Sequence, residues 1–365
     1  FIMSSFLIKQ KTKKSFEDRI SKLARKTQEN IKASGISFNN FCLEEYFDRT
    51  SKDVFVELNL LKGKERTEAL RELLQNWIDW QYKNGNLTSS IQQYLSKIKK
   101  IFSHNGILIH TSDFEEPLEF TAKIKEELHE LTLEEIQDIL KYANPKKIGF
   151  YIALSCTGAR PAELLQVRKK DITFSNKRIK IRIESVNVKT KSGRSVWLTK
   201  EAGRYLMTKL RGLNDSDLVW ATNENFSYAE KNESTQFSKI CDKAGYSQKY
   251  KSNNFRKITL YSFRSFFYGK ASDVHREGYA HKMIGHGGYL PQYDRMSDEK
   301  KLNWFLELEP KLIIDSTVRL REENKLKEQK IKKLESEKDI QLKDMQSQID
   351  TVMKLLDRKE NLNSS

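Results

Sequence analysis

Four stretches of the chain hold side chains that can bind anions, exchange protons or attack as nucleophiles. In LSCTGARPAELLQVRKKDI, Arg160 stands between Thr157-Gly158-Ala159 and Pro161. An apolar run from Tyr151 leads into that turn and a helix-like Glu163-Leu164-Leu165 leads out, so a cation is threaded into the seam of a buried turn. In VKTKSGR, Lys189 lies where an alternating run ends in a flexible tip, and Lys191 follows across Thr190. TLYSFRSFFYGKAS sets Tyr261 and Arg264 three apart, on one face of a helix. HKMIGHGGYLPQYDR places His286 after Ile284-Gly285, with Tyr289 and Tyr293 beyond it. Taken singly, each is ordinary: a lone arginine is usually a surface ion pair, and a histidine after glycine is often a helix cap. His275 and His281, on the same segment, read as solvent-facing helix residues.

The elements that must position these groups follow from periodicity. From about Ser15 to His110 the pattern is helical and basic. TEALRELLQNWIDWQYKNG carries Ala69, Leu70, Leu73, Leu74, Trp77, Ile78 and Trp80 close to a 3.6-residue period and stops at Asn84-Gly85. The next helix opens on a capping-type Thr88, shows Ile91, Tyr94, Leu95, Ile98 and Phe102 as one stripe, and ends at Asn105-Gly106. Between Asp113 and Asp138 ten acidic residues face two lysines, which reads as a linker, or as the solvated face of a helix, running into LTLEEIQDIL. Thr132 and Glu135 give that helix a capping-box spacing. RIKIRIESVNVK and RSVWLT alternate with period two around Thr190-Lys191-Ser192-Gly193 and predict a β-hairpin. Helical patterns resume at Lys200 and reach about Pro310. Beyond Lys311, Ile313, Leu320, Ile331 and Leu334 share a 3-4 track with the polar Thr317, Asn324 and Lys327. Leu342, Met345, Ile349, Val352 and Leu356 continue it after a register jump, the pattern of a coiled coil with a stutter.

A formal net charge of +16 calls for a polyanionic partner, and nucleic acid leads an anionic membrane because no amphipathic anchor accompanies the charge. Cys42, Cys156 and Cys241 are far apart, in apolar contexts and without a CxxC, so they read as reduced thiols of a cytosolic protein. No apolar run approaches the length of a membrane span, and FIMSSFLIKQKTKK is too short in its apolar part for a signal peptide. The sequence shows no phosphate-binding GxxxxGK[ST] loop and no metal-ligand cluster, so no cofactor or metal is expected.

The order of the four stretches is far less common than its members. Arginine in a TGxRxxE turn, lysine in a hairpin, YxxR on a helix, then GH and a closing tyrosine resembles the tyrosine recombinase (integrase) family, from about Leu131 to Pro310. The basic N-terminal helices look like that family's core-binding domain, and LTLEEIQDIL like the opening helix of its catalytic domain. Within the family the chain is most similar to archaeal and archaeal-virus integrases.

The resemblance implies a role for each residue. Arg160 and Arg264 would grip the non-bridging oxygens of a DNA phosphate with paired, charge-assisted hydrogen bonds. Tyr293 would be the nucleophile, with Tyr289 as the alternative, because the spacing from His286 is shorter than is usual in the family. Lys189, or Lys191 beside it, would protonate the leaving 5′-oxygen, and His286 would bind the phosphate or help handle the tyrosine proton. Tyr261 stands where the family most often has histidine; it can donate a hydrogen bond but cannot titrate near neutrality.

The expected fold is mainly α with a small antiparallel sheet (α+β). It comprises a helical core-binding domain over 12–112, an acidic linker over 113–130, a catalytic domain over 131–310 and a coiled-coil extension over 311–360. The expected activity is site-specific cleavage and rejoining of double-stranded DNA by a cytoplasmic, nucleoid-associated homo-oligomer, tetrameric in its synaptic complex, with a virus or plasmid as a candidate source. A type IB topoisomerase, or a non-catalytic DNA-binding protein whose coiled coil is its working surface, are the rivals.

Overall fold

Apolar stripes at helical spacing need a partner face, and the chain supplies two sets of them. The computed structural model describes residues 13–175, 178–187, 193–286 and 296–363. The chain divides into one unit ending at Glu126 and another beginning at Glu127.

The first unit is helical: α1 (Lys13–Ser21), α2 (Arg25–Glu45), α3 (Ser51–Leu60), α4 (Gly63–Lys83) and α5 (Thr88–His104). The predicted stripes are its core. Leu70, Leu73, Leu74, Trp77 and Ile78 of α4 and Ile91, Leu95, Ile98 and Phe102 of α5 are buried together with Phe38, Phe41 and Phe55. Phe38 meets Phe102 edge-on at 5.1 Å, an arrangement aromatic quadrupoles favour. Thr88 is not the cap of α5: the N-cap is Leu87, and the Thr88 hydroxyl instead donates to the carbonyl of Thr121. The acidic run is helical only from Leu133. Before that, Phe114 is buried on the first unit's core and Leu118 and Phe120 pack against it. Glu115 and Glu116 pair there with Lys64 and Arg71 of α4 at 2.7 and 2.8 Å.

The second unit holds α6 (Leu133–Lys141), α7 (Pro145–Thr157), α8 (Pro161–Leu165), β1 (Ile172–Phe174), β2 (Ile179–Ile183), β3 (Arg194–Trp197), α9 (Lys200–Leu210), α10 (Phe226–Lys243), α11 (Ser262–Val274), α12 (Glu277–Ile284), α13 (Asp298–Leu312) and α14 (Ser316–Asn363). Thr132 and Glu135 form the predicted capping box. The hairpin is present as an antiparallel pair with Ile181 opposite Val196, both buried. Two differences from expectation follow from length. β2 stops at Ile183 and turns into a 3₁₀ segment over Ser185–Asn187, and β1, only three residues long, adds a third strand. Helix α7 is buried from Phe150 through Thr157 and packs against α9 and α11.

Two buried carboxylates hold the passage from α13 to α14. Glu201 accepts the backbone N–H of Ile314 at 2.8 Å and of Asp315 at 3.1 Å. Glu309 is paired with Arg178 and also accepts the N–H of Lys200 at 2.8 Å. Ile313, expected on the coiled-coil track, is instead fully buried in this junction, where α13 has ended. On α14, Leu320, Ile331, Leu334, Leu342, Met345 and Ile349 are each more than half exposed.

Candidate active site

The turn around Arg160 is built by backbone constraint. Gly158 ends α7 with φ +59°, in the left-handed region, and a β-carbon there would lie 2.5 Å from Cδ1 of Phe267. Only glycine meets both demands. Pro161 opens α8 and holds Arg160 extended (φ −70°, ψ 146°), so the arginine side chain leaves the chain between two helices. Glu163 then clamps it: the carboxylate accepts the Arg160 N–H at 2.9 Å and its Nη1 at 2.7 Å. A second guanidinium, Arg194 at the start of β3, donates Nη2 to the same carboxylate at 2.7 Å and Nε to the carbonyl of Met283 at 2.8 Å. Glu163 is only 3% exposed. Burial alone would raise its pKa, but the hydrogen bonds and charges of Arg194 and Arg160 outweigh that and hold it below the usual carboxylate range.

Arg264, on α11, reaches the same turn. Its Nη1 donates to the carbonyl of Gly158 at 2.8 Å, while its buried Nη2 has no acceptor among the described residues. Burial, then the charges of Arg160 and Arg194, lower this guanidinium to about 10, which leaves it cationic at neutral pH. Arg160, Arg194 and Arg264 are therefore packed closely enough to feel one another, against a single buried carboxylate. Such an excess of donors suits an anion with several oxygens.

His286 follows α12, which ends on Gly285 with φ +71° and returns the His286 N–H to the carbonyl of His281 at 3.0 Å. Its imidazole is exposed, and partial desolvation followed by the charges of Arg264, His281 and Arg160 lowers its pKa, so it is neutral at pH 7. Tyr261 is 49% exposed and donates its hydroxyl to Glu230 of α10 at 3.0 Å. Burial of its inner part and the Glu230 carboxylate raise the phenol to about 12. Arg160, Tyr261, Arg264 and His286 are thus brought together. Lys189 and Tyr293, with their alternatives Lys191 and Tyr289, lie outside the described residues.

Sequence reasoning missed Arg194 and Glu230. The first was legible only as one cation in an alternating strand, and the second carries no local signal. Two histidines also differ from their reading. His275 is a core residue, its side chain 7% exposed, stacked on Trp304 at 5.0 Å and bonded through Nε2 to the Trp304 carbonyl. His281 is half-buried between Tyr268 and His286.

Residues 129–263 match the Phage integrase family, a span that contains Arg160 and Tyr261 and stops one residue before Arg264. The matched stretch begins at the N-terminal edge of the second unit and runs into α11. The fold agrees. A lambda integrase tetramer bound to a Holliday junction aligns with TM-score 0.53 and 14% identity, over 78% of this chain and 80% of that one. The Tn1549 transposon integrase in complex with circular intermediate DNA aligns with TM-score 0.50 and 13% identity, over 80% and 97%. No curated protein sequence matches the chain. The buried Glu163 and the three guanidinium groups come from α8 and its N-cap, β3 and α11, with Glu163 joining α8 to β3 and Arg264 joining α11 to the end of α7.

Proposed function

We infer that the protein is a site-specific DNA recombinase that cleaves and rejoins duplex DNA through a 3′-phosphotyrosine. The observation that carries this is Arg264, tied by one nitrogen to the Gly158 carbonyl, its buried second nitrogen without an acceptor among the described residues and close to Arg160 and His286. A scissile phosphate supplies the acceptor oxygens this set calls for. Negative charge accumulates on those oxygens in the pentacoordinate transition state, and donors already in place stabilise it without reorganising.

In the proposed reaction, the Tyr293 oxygen attacks phosphorus and the bond to the 5′-oxygen breaks. The leaving oxygen takes a proton from Lys189, and the tyrosine proton passes to a neighbouring acceptor with His286 close by. One phosphodiester replaces another, so neither nucleotide nor water is consumed. Rejoining is the same step with a new 5′-hydroxyl. Tyr261, neutral at every physiological pH, contributes a hydrogen-bond donor and no base.

The basic helical unit at the N-terminus would share DNA binding, largely through phosphates, giving a steep salt dependence. The exposed apolar track of α14 supports self-association through a coiled coil, and the tetramer named for lambda integrase supports the same stoichiometry on paired sites. The resemblance to archaeal and archaeal-virus integrases supports an origin on such an element, acting on DNA in the cytoplasm.

The test is covalent trapping on nicked duplexes that lose the cleaved fragment, with the linked residue mapped by mass spectrometry. An adduct at Tyr293, lost in Tyr293→Phe and kept in Tyr289→Phe, is expected. Linkage at Tyr289 would move the nucleophile. Relaxation of any supercoiled plasmid without transfer between duplexes would make the protein a topoisomerase instead.

A further inference from the structure

The geometry points to His281 as a positioning residue which, with Tyr268, fixes the ring nitrogen of His286 that carries the proton. This rests on His286 meeting the phosphate as described under the proposed function. The Tyr268 hydroxyl lies 3.2 Å from Nε2 of His281, and Nδ1 of His281 lies 3.3 Å from Nδ1 of His286. The two imidazoles are nearly parallel, 17° apart, with centroids at 5.4 Å. This is a line of three groups that ends at the candidate active site and starts on α11.

Hydrogen-bond logic leaves two consistent directions along that line. Only one of the facing Nδ1 atoms can carry a hydrogen while both rings are neutral. If Tyr268 donates to Nε2 of His281, then His281 holds its proton on Nδ1 and donates it to His286. His286 is then obliged to keep its own proton on Nε2, the nitrogen turned away from His281. If Tyr268 accepts instead, every proton moves one place and His286 is left with a bare Nε2. The hydroxyl decides between them. Tyr268 is half-buried and, among the described residues, its hydroxyl has His281 as its hydrogen-bond partner, so an accepting phenol would leave its O–H to solvent alone. Donation from Tyr268 gives the hydroxyl a protein partner and both facing Nδ1 atoms matching roles, and leaves His286 with Nε2–H as its donor.

The surroundings match that assignment. Arg264 and Tyr268 face this region from α11, Arg160 from the turn before α8, Arg194 from β3, and His281 from α12. The cations disfavour a charged His286, which keeps the imidazole neutral and the tautomer question meaningful near pH 7. A neutral Nε2–H donor adds a hydrogen bond to a phosphate oxygen without adding a fourth cation to a cluster already held by one carboxylate.

The experiment reads the full-length protein without DNA, so its result is independent of whether DNA is cleaved. Protein labelled with ¹⁵N-histidine is examined by long-range ¹H–¹⁵N correlation at pH 7, and the six histidines are assigned by single substitution. His281 is expected as the Nδ1–H tautomer, the less common form in water, and His286 as Nε2–H. Tyr268→Phe removes only the hydroxyl and should release His281 to a mixture dominated by Nε2–H at unchanged helical circular dichroism. His281→Gln keeps an amide N–H for Nδ1 of His286 and should preserve the single His286 tautomer, whereas His281→Phe should not. Finding His281 as Nε2–H in the unsubstituted protein, or a His281 tautomer indifferent to Tyr268→Phe, would overturn the assignment.

Discussion

Replacing Glu163 by glutamine tests whether one buried carboxylate holds the arginine cluster together. The side chain is 3% exposed and accepts from Arg160 N, Arg160 Nη1 and Arg194 Nη2 at 2.9, 2.7 and 2.7 Å. Glutamine keeps the volume but offers one acceptor oxygen, and turns an NH₂ toward a guanidinium. Removing one partner of a buried ion pair costs about 3–5 kcal/mol, because the remaining charge stays desolvated. Two guanidiniums share this partner, so the upper part of that range is expected, a large share of the roughly 5–15 kcal/mol that holds a domain folded. With a urea dependence near 3 kcal/mol per M, the midpoint of the second unit should fall by about 1–2 M. Hydrogen exchange of the α7 and α8 amides isolates that unit's transition from the helical unit's. The sign with pH is fixed as well. The folded carboxyl has a depressed pKa, so its contribution is complete above the usual carboxylate value of about 4.3 and is lost as pH falls through the folded value. The gap between parent and Glu163→Gln should therefore be widest near pH 7 and narrow in acid. A loss below about 1 kcal/mol, or a gap independent of pH, would refute the reasoning.

Gly158→Ala must place a β-carbon in the left-handed region, at about 1–2 kcal/mol, and against the Phe267 ring, at about 1–3 kcal/mol. A combined loss of about 2–5 kcal/mol in urea unfolding is expected, and parental stability would show that the turn relaxes freely. Cys42, Cys156 and Cys241 are buried, and burial pushes each thiol to about 12. A thiol reagent at pH 8 should leave all three untouched in the native protein and modify all three in urea, so fast native modification of any one would contradict its placement. Cutting the chain after Asp315 should lower the oligomeric mass while sparing single-strand cleavage, and an unaltered mass by light scattering would remove α14 from assembly.

Much of this architecture was legible before the structure because it depends on local chemistry. The α4 and α5 stripes, the Thr132–Glu135 box and the Gly158 turn are written in neighbouring residues, and each is present. The pairing of Arg160 with Glu163 spans three residues and could be anticipated. What escaped depends on contacts distant in sequence. Arg194 joins the cluster only because β3 and α12 meet, and Glu230 reaches Tyr261 from a separate helix. His275 resembles a surface residue until α13 lays Trp304 over it. Thr88 was misplaced by one position because its hydroxyl serves a long-range bond to Thr121 rather than its own helix. The three residues of β1 are too few for alternation to register.

Gly285 carries a consequence for how this sequence can change over time. A β-carbon at that position would lie 2.7 Å from Nη1 of Arg194, whose guanidinium is already committed to Met283 and Glu163. A lineage could fill position 285 only after trimming the arginine, and that trimming would first unfasten two other anchors. The two sites should therefore drift as a pair or hardly at all, a covariation that an alignment of relatives can reveal without a single purified protein.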